Sequence, residues 1–173
     1  MRKRTLLSML MLPPATAALS ACGFQLRRAP TFQFRSLYVE APQGAALSRE
    51  LVRLLITAGQ NLRLVLPPTP RDQADMVLHI LGERNERIIL AKTVAGQIRE
   101  LELRLHVRFR LTDQDGRIWI DNTEISQKRD MTYSESLTLA KDEEEASLIR
   151  NMRSDIAQQI VRRLALAQPP ASE

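Results

Sequence analysis

The segment Glu100-Leu101-Glu102-Leu103-Arg104-Leu105-His106-Val107-Arg108-Phe109-Arg110-Leu111 alternates strictly between polar and apolar residues. Successive side chains of an extended chain point to opposite faces, so Leu101, Leu103, Leu105, Val107, Phe109 and Leu111 share one face. Glu100, Glu102, Arg104, His106, Arg108 and Arg110 share the other. A helix would scatter both sets around its circumference. The pattern therefore means a strand in a sheet covered on one side and solvated on the other. The strand is expected over Gln97 to Thr112. Asp113-Gln114-Asp115-Gly116 supplies a turn, and Arg117 to Ile125, with Trp119, returns as the partner strand of a long hairpin.

Upstream, Met76 to Ile89 forms another strand, with Gly82 marking a bulge or bend. Phe34 to Val39 alternates as a first strand, which Pro42-Gln43-Gly44 ends. Ser48 is placed as the N-cap of a helix carrying Glu50, Leu51, Leu54, Leu55 and Ala58. Leu47 and Val52 fit a hydrophobic staple, and Gly59 a C-terminal cap. Asn61 to Leu66 adds a short extended piece, and Pro67-Pro68-Thr69-Pro70 a rigid connector.

Downstream, a second helix is expected to begin at Asp142 or a neighbour. Glu143, Glu144 and Glu145 would then lie in its first turn, where the helix dipole favours negative charge. Ile149, Met152, Ile156, Ile160 and Leu164 recur at three or four and form one apolar stripe. Arg162 and Arg163 stand near its end, and Pro169-Pro170 stops the folded part. These elements combine as an α+β fold, a two-layer sandwich of two helices packed on one face of a four-stranded sheet.

The amino-terminal residues follow a different logic. Arg2, Lys3 and Arg4 precede the apolar run Thr5 to Leu12, and Leu19-Ser20-Ala21 leads into Cys22, the only cysteine. A charged start, a short apolar run and small residues in that order form a secretory signal. A membrane span needs about 20 apolar residues, and Pro13-Pro14 comes too early for one. The layout predicts a cleaved leader over 1–21, a tether over 22–31, one domain over 32–167 and a disordered tail over 168–173. The leader holds three of the 25 basic residues and no acid, so its loss lowers the formal charge from +5 to +2. A nearly balanced domain does not point to nucleic acid. With no second cysteine, an intramolecular disulfide cannot form, and about 150 residues suffice to bury a stabilising core.

Reactive constellations are missing from the pattern. No Cys or His cluster has metal-ligand spacing, the six glycines form no phosphate loop, and no nucleophile elbow is present. His79 and His106 lie in alternating strands and read as polar surface residues. The run Asp142 to Glu145 reads as a solvated helix start rather than a cation site. No enzyme, cofactor or metal is expected. Arg104, Arg108 and Arg110 are expected chiefly to pair with Glu100, Glu102, Asp121 and Glu124; the competing reading is a basic surface for phosphates or carboxylates. Arg84, Arg87 and Lys92 form a second basic group near a hairpin connection, a favoured place for binding residues.

Several stretches resemble known families. Leu19-Ser20-Ala21-Cys22 is similar to the lipobox of bacterial lipoproteins, in which the cysteine carries a thioether-linked diacylglycerol and the new amine is acylated. Cys22-Gly23-Phe24-Gln25-Leu26-Arg27 and the helix start Leu47-Ser48-Arg49 resemble the LPS-assembly lipoproteins of the LptE family. So do Leu139-Ala140-Lys141-Asp142-Glu143-Glu144-Glu145, Met152-Arg153-Ser154-Asp155 and Gln158-Gln159-Ile160-Val161-Arg162-Arg163-Leu164. The resemblance implies two helices on a four-stranded sheet, and a lipid anchor at Cys22 in the periplasmic leaflet of the Gram-negative outer membrane. It implies a non-catalytic plug inside the β-barrel LptD, which it helps to assemble, and binding of lipopolysaccharide. Gly23 fits outer-membrane delivery. Of two basic positions implicated in lipopolysaccharide binding, one maps onto Lys141. The other falls near Val94, ahead of Gly96, where the charge is missing and Lys92 stands two residues earlier as a substitute. The competing expectations are a generic envelope lipoprotein that binds peptidoglycan or a soluble ligand, and a periplasmic hydrolase.

Overall fold

The structure is a computed structural model and describes residues 30–42, 44–59, 61–134 and 138–170. The leader 1–21, Cys22, nearly all of the tether and the last three residues of the tail lie outside the described residues.

The elements run β1 (Ser36–Glu40), α1 (Ala46–Ala58), β2 (Arg63–Val65), a short 3-10 turn (Arg71–Gln73), β3 (Met76–Lys92), β4 (Ile98–Asp113), β5 (Ile118–Thr132) and α2 (Thr138–Leu166). The alternating strand is β4. Leu101, Leu103, Leu105, Val107, Phe109 and Leu111 are all buried, and they share a core with Leu47, Leu51 and Leu55 of α1 and Met152, Ile156, Ile160 and Leu164 of α2. Both helices thus cover one face and leave the other open. Burial of side chains this size contributes about 1.5–3 kcal/mol each.

The sheet has five strands in the order β2-β1-β3-β4-β5, not the four expected. The added strand is the short extended piece after α1. Leu64 pairs with Leu37 in parallel, and β1 also runs parallel to β3, so the sheet is mixed. Three residues are too few to show a period, and their pairing depends on α1 carrying the chain back beside β1.

Antiparallel ladders on both sides of β4 also run further than the residue pattern indicates. β3 continues to Lys92, opposite Ile98, and β5 to Thr132, opposite Glu100. Residues Ser126 to Asp130 show no apolar alternation, yet β4's free edge supplies their backbone partners, and Met131 is buried opposite Leu101. Both hairpin turns close identically. Gly96 and Gly116 sit at φ +83° and donate their N–H groups to Thr93 and Asp113.

The start of α1 differs from expectation. α1 begins at Ala46, so Ser48 lies inside the helix and its hydroxyl donates to the Ala45 carbonyl at 2.8 Å. The turn before it starts the helix early, with Ala45 N–H donating to Pro42 O. Leu47 is therefore a buried helical residue rather than half of a staple. Gly59 does cap the end, donating to Leu55 O, but at φ −96°. Glycine is needed there because a Cβ would stand 2.9 Å from both Leu55 O and Leu62 Cβ.

α2 starts at Thr138, four residues before Asp142, so the acidic run falls on its second turn. The middle of α2 is tied to the sheet by ion pairs beside its apolar packing. Arg87 meets Glu145 at 2.7 Å, Arg153 meets Glu83 at 2.6 Å and Arg129 meets Asp155 at 3.0 Å. Among the described residues, no helix is long and apolar enough to cross a membrane.

Candidate functional site

Lys141 is in the first turn of α2. Its ammonium donates to Glu144 Oε2 at 2.7 Å, with a longer 3.4 Å contact to Thr132 Oγ1 at the end of β5. Its side chain is only 17% exposed, so the pair rather than a bare cation is what solvent meets. Lys92 is the last residue of β3 and has no bonded partner among the described residues. Thr132 and Lys92 lie on the strands flanking β4, two spacings of about 4.8 Å apart across the sheet. The two lysines named from sequence therefore occupy the same end of the molecule.

That end also exposes apolar side chains. Ile89, Leu90, Val94 and Leu139 are 46%, 47%, 111% and 77% exposed. Val94, where the resemblance places a basic residue, projects from the Thr93–Gln97 turn into open solvent. Two lysines beside an apolar tip suit an amphiphile with acyl chains and phosphate groups. Sequence reasoning named the lysines but missed the apolar part, because Ile88-Ile89-Leu90 is indistinguishable from buried strand.

The other basic candidates separate. Arg84 faces the open side opposite His106 and bonds Glu86 at 2.9 Å, whereas Arg87 sits opposite Leu103 on the helix side and bonds Glu145. They do not form one patch with Lys92. On the open face Arg104 bonds Glu102 at 2.6 Å, as cross-strand pairing predicts in kind, though the two are neighbours on the same strand. Lys128 reaches Glu102 from β5 at 3.4 Å. The Arg104 hydrogen bond, helped by Lys128, holds the buried Glu102 carboxyl below its usual value of 4.5 against the opposing effect of burial.

Neither histidine is a loose surface residue. His79 contacts Glu40 through Nδ1 and Thr112 Oγ1 through Nε2, and its side chain is 13% exposed. His106 contacts Glu124 at 3.0 Å and lies 3.5 Å from Glu86, at 17% exposure. Among the described residues, no group of three or more His, Cys, Asp and Glu side chains is arranged to hold a metal ion.

Comparison with known proteins gives this fold a family. The LptE, lipopolysaccharide-assembly, family model matches residues 34–164. The solution structure of uncharacterized lipoprotein B from Nitrosomonas europaea is 28% identical with a TM-score of 0.68, covering 83% of this chain and 90% of that one. Rare lipoprotein B from Shewanella oneidensis is 23% identical with a TM-score of 0.64, covering 76% and 94%. A minor lipoprotein from Acinetobacter baumannii is 24% identical with a TM-score of 0.64, covering 83% and 99%, and like the Shewanella protein it shares the fold. No curated protein matches the sequence. With a family model spanning the sheet and most of both helices, the chain belongs to the LptE family of lipopolysaccharide-assembly proteins.

Proposed function

We propose that, within the lipopolysaccharide-assembly role of its family, the protein is a non-catalytic lipoprotein of the outer membrane. Cleavage before Cys22 and acylation there anchor the chain in the periplasmic leaflet, where two or more acyl chains hold stably. Residues 22–31 are the tether, 32–167 the working domain and 168–173 a tail. The domain fills the lumen of the LptD barrel, helps it assemble, and binds lipopolysaccharide at the end of the sheet that carries Lys141 and Lys92.

The observation that carries the ligand assignment is the junction of those lysines with exposed Ile89, Leu90, Val94 and Leu139. A lipid A phosphate carries more negative charge than the Glu144 carboxylate and offers more acceptor oxygens. It therefore displaces Glu144 from Lys141, while acyl chains cover the apolar tip.

Lipopolysaccharide binding by Lys141→Glu tests the site. The expected result is at least a tenfold weaker affinity, about 1.4 kcal/mol, with an unchanged circular dichroism spectrum. Wild-type affinity in both Lys141→Glu and Lys92→Glu would remove the site. Purification of the acylated protein from outer membranes tests the partner: LptD should be recovered with it, and repeated recovery of a lone monomer or of peptidoglycan would refute the plug.

A further inference from the structure

Cross-strand pairing leaves two cations over. Of the acids expected to neutralise the open face, Glu102 bonds Arg104 and Lys128, Glu124 stands opposite Arg108 but contacts His106, and Glu100 lies at the far end of β4. Asp121 turns onto the backbone N–H of Asn122 at 2.6 Å. Among the described residues, Arg108 and Arg110 have no bonded partner, and Arg110 Nε is buried without one. A buried donor left in that state costs roughly 1–3 kcal/mol, so a native structure that keeps one leaves room for an acceptor.

The backbone around this pair is irregular on both sides. β3 carries an extra residue between Ile80 and Gly82, where Gly82 stands opposite Arg108. β5 carries another between Ile120 and Thr123, beside Arg110. Bulges re-aim side chains and concentrate at functional sites. A Cβ built on Gly82 meets nothing within 4 Å, so the space over it is open. Arg108 lines a cleft of about 340 Å³, and Arg110, two residues on, lines another of about 670 Å³. In the larger, His79 and Thr112 form part of the lining. Its Asp113 and Asp115 are held by Arg117, leaving the exposed Asp72 as its unpaired carboxylate among the described residues.

We propose that Arg108 and Arg110 form a phosphate-binding site on the open face of the sheet. Residues i and i+2 of a strand present their guanidinium groups on one face about 6.6 Å apart at the backbone. A phosphate monoester carries about −1.5 to −2 charges at pH 7 and matches the two guanidinium groups, whereas one carboxylate matches only one. Both guanidinium forks are suited to its oxygens. The site lies roughly 33 Å along β4 from Glu100, at the opposite end from Lys141 and Lys92, and does not depend on them.

The arginine Nε–Hε signals of the full chain in detergent, titrated with inorganic phosphate, test this. Arg108 and Arg110 signals should shift saturably, and Arg108→Gln/Arg110→Gln should weaken binding at least tenfold with an unchanged amide fingerprint. The single variant Arg108→Gln, at an exposed side chain, should lose at least threefold. Arg104→Gln should bind phosphate as the wild type does. A parallel titration with a phosphorylated glucosamine headgroup identifies the source: tighter binding than inorganic phosphate points to a lipid headgroup, equal binding to free phosphate, and either supports the site. No saturable shift, an equal response to acetate, or an equal loss in Arg104→Gln would overturn it.

Discussion

Glu102 is a buried carboxylate on the solvated side of β4, and its neighbours determine what it does for stability. Arg104 and Lys128 favour its ionised form, so its folded pKa lies below the ordinary 4.5. The unfolded chain therefore binds a proton before the folded chain does as pH falls. The stabilisation is complete above the ordinary value and disappears as pH drops through the depressed one. Urea titrations between pH 7 and pH 3 should show the wild type losing more stability than Glu102→Gln below the ordinary carboxylate range. Parallel pH profiles would contradict this.

Arg153 acts at the same scale. It bonds Glu83 through two nitrogens, at 2.8 and 2.6 Å, with both side chains 16% exposed. Arg153→Met leaves Glu83 half-buried and alone, and should cost about 1–3 kcal/mol in urea unfolding. A loss under 0.5 kcal/mol would mean that water already serves Glu83.

At the scale of elements, the two hairpin turns and α2 illustrate different kinds of legibility. The turn Asp113 to Gly116 is readable because one residue must adopt a left-handed backbone, and Gly116 does so at φ +83°. Gly116→Ala should cost about 1–2 kcal/mol and lower the melting temperature by several degrees, with no change in the signals of α2. An unshifted melting curve would show that the turn relaxes. The start of α2 was less legible. Its acidic run reads as a first turn placed for the dipole, but those residues serve partners instead: Glu144 holds Lys141, and Glu145 reaches Arg87 on β3. Contacts 58 residues apart leave no local mark.

For the whole molecule, one core joins both helices to the sheet, and Trp119 of β5 packs edge-on to Phe34, two residues before β1, at 6.4 Å. Tryptophan fluorescence and far-ultraviolet circular dichroism should consequently report one coincident unfolding transition. Leu105→Ala removes a fully buried side chain at the centre of that core and should cost about 2–5 kcal/mol by both probes. Separate transitions would mean that the layers unfold independently.

The division between chain and fold follows from the range of each interaction. Period two in Glu100–Leu111, the apolar stripe of α2 and the turn glycines are local properties. By themselves they determined the α+β class, the covered face of the sheet and most of the buried residues. The fifth strand, the length of β5 and the partner of each charge depend on which strands become neighbours and in what register. Only the tertiary structure decided that Glu124 would serve His106, that Lys141 would hold Glu144, and that Arg108 and Arg110 would be left unpaired between two bulges. One residue inserted in a neighbouring strand changes what a side chain faces, and no periodicity in its own strand records that change.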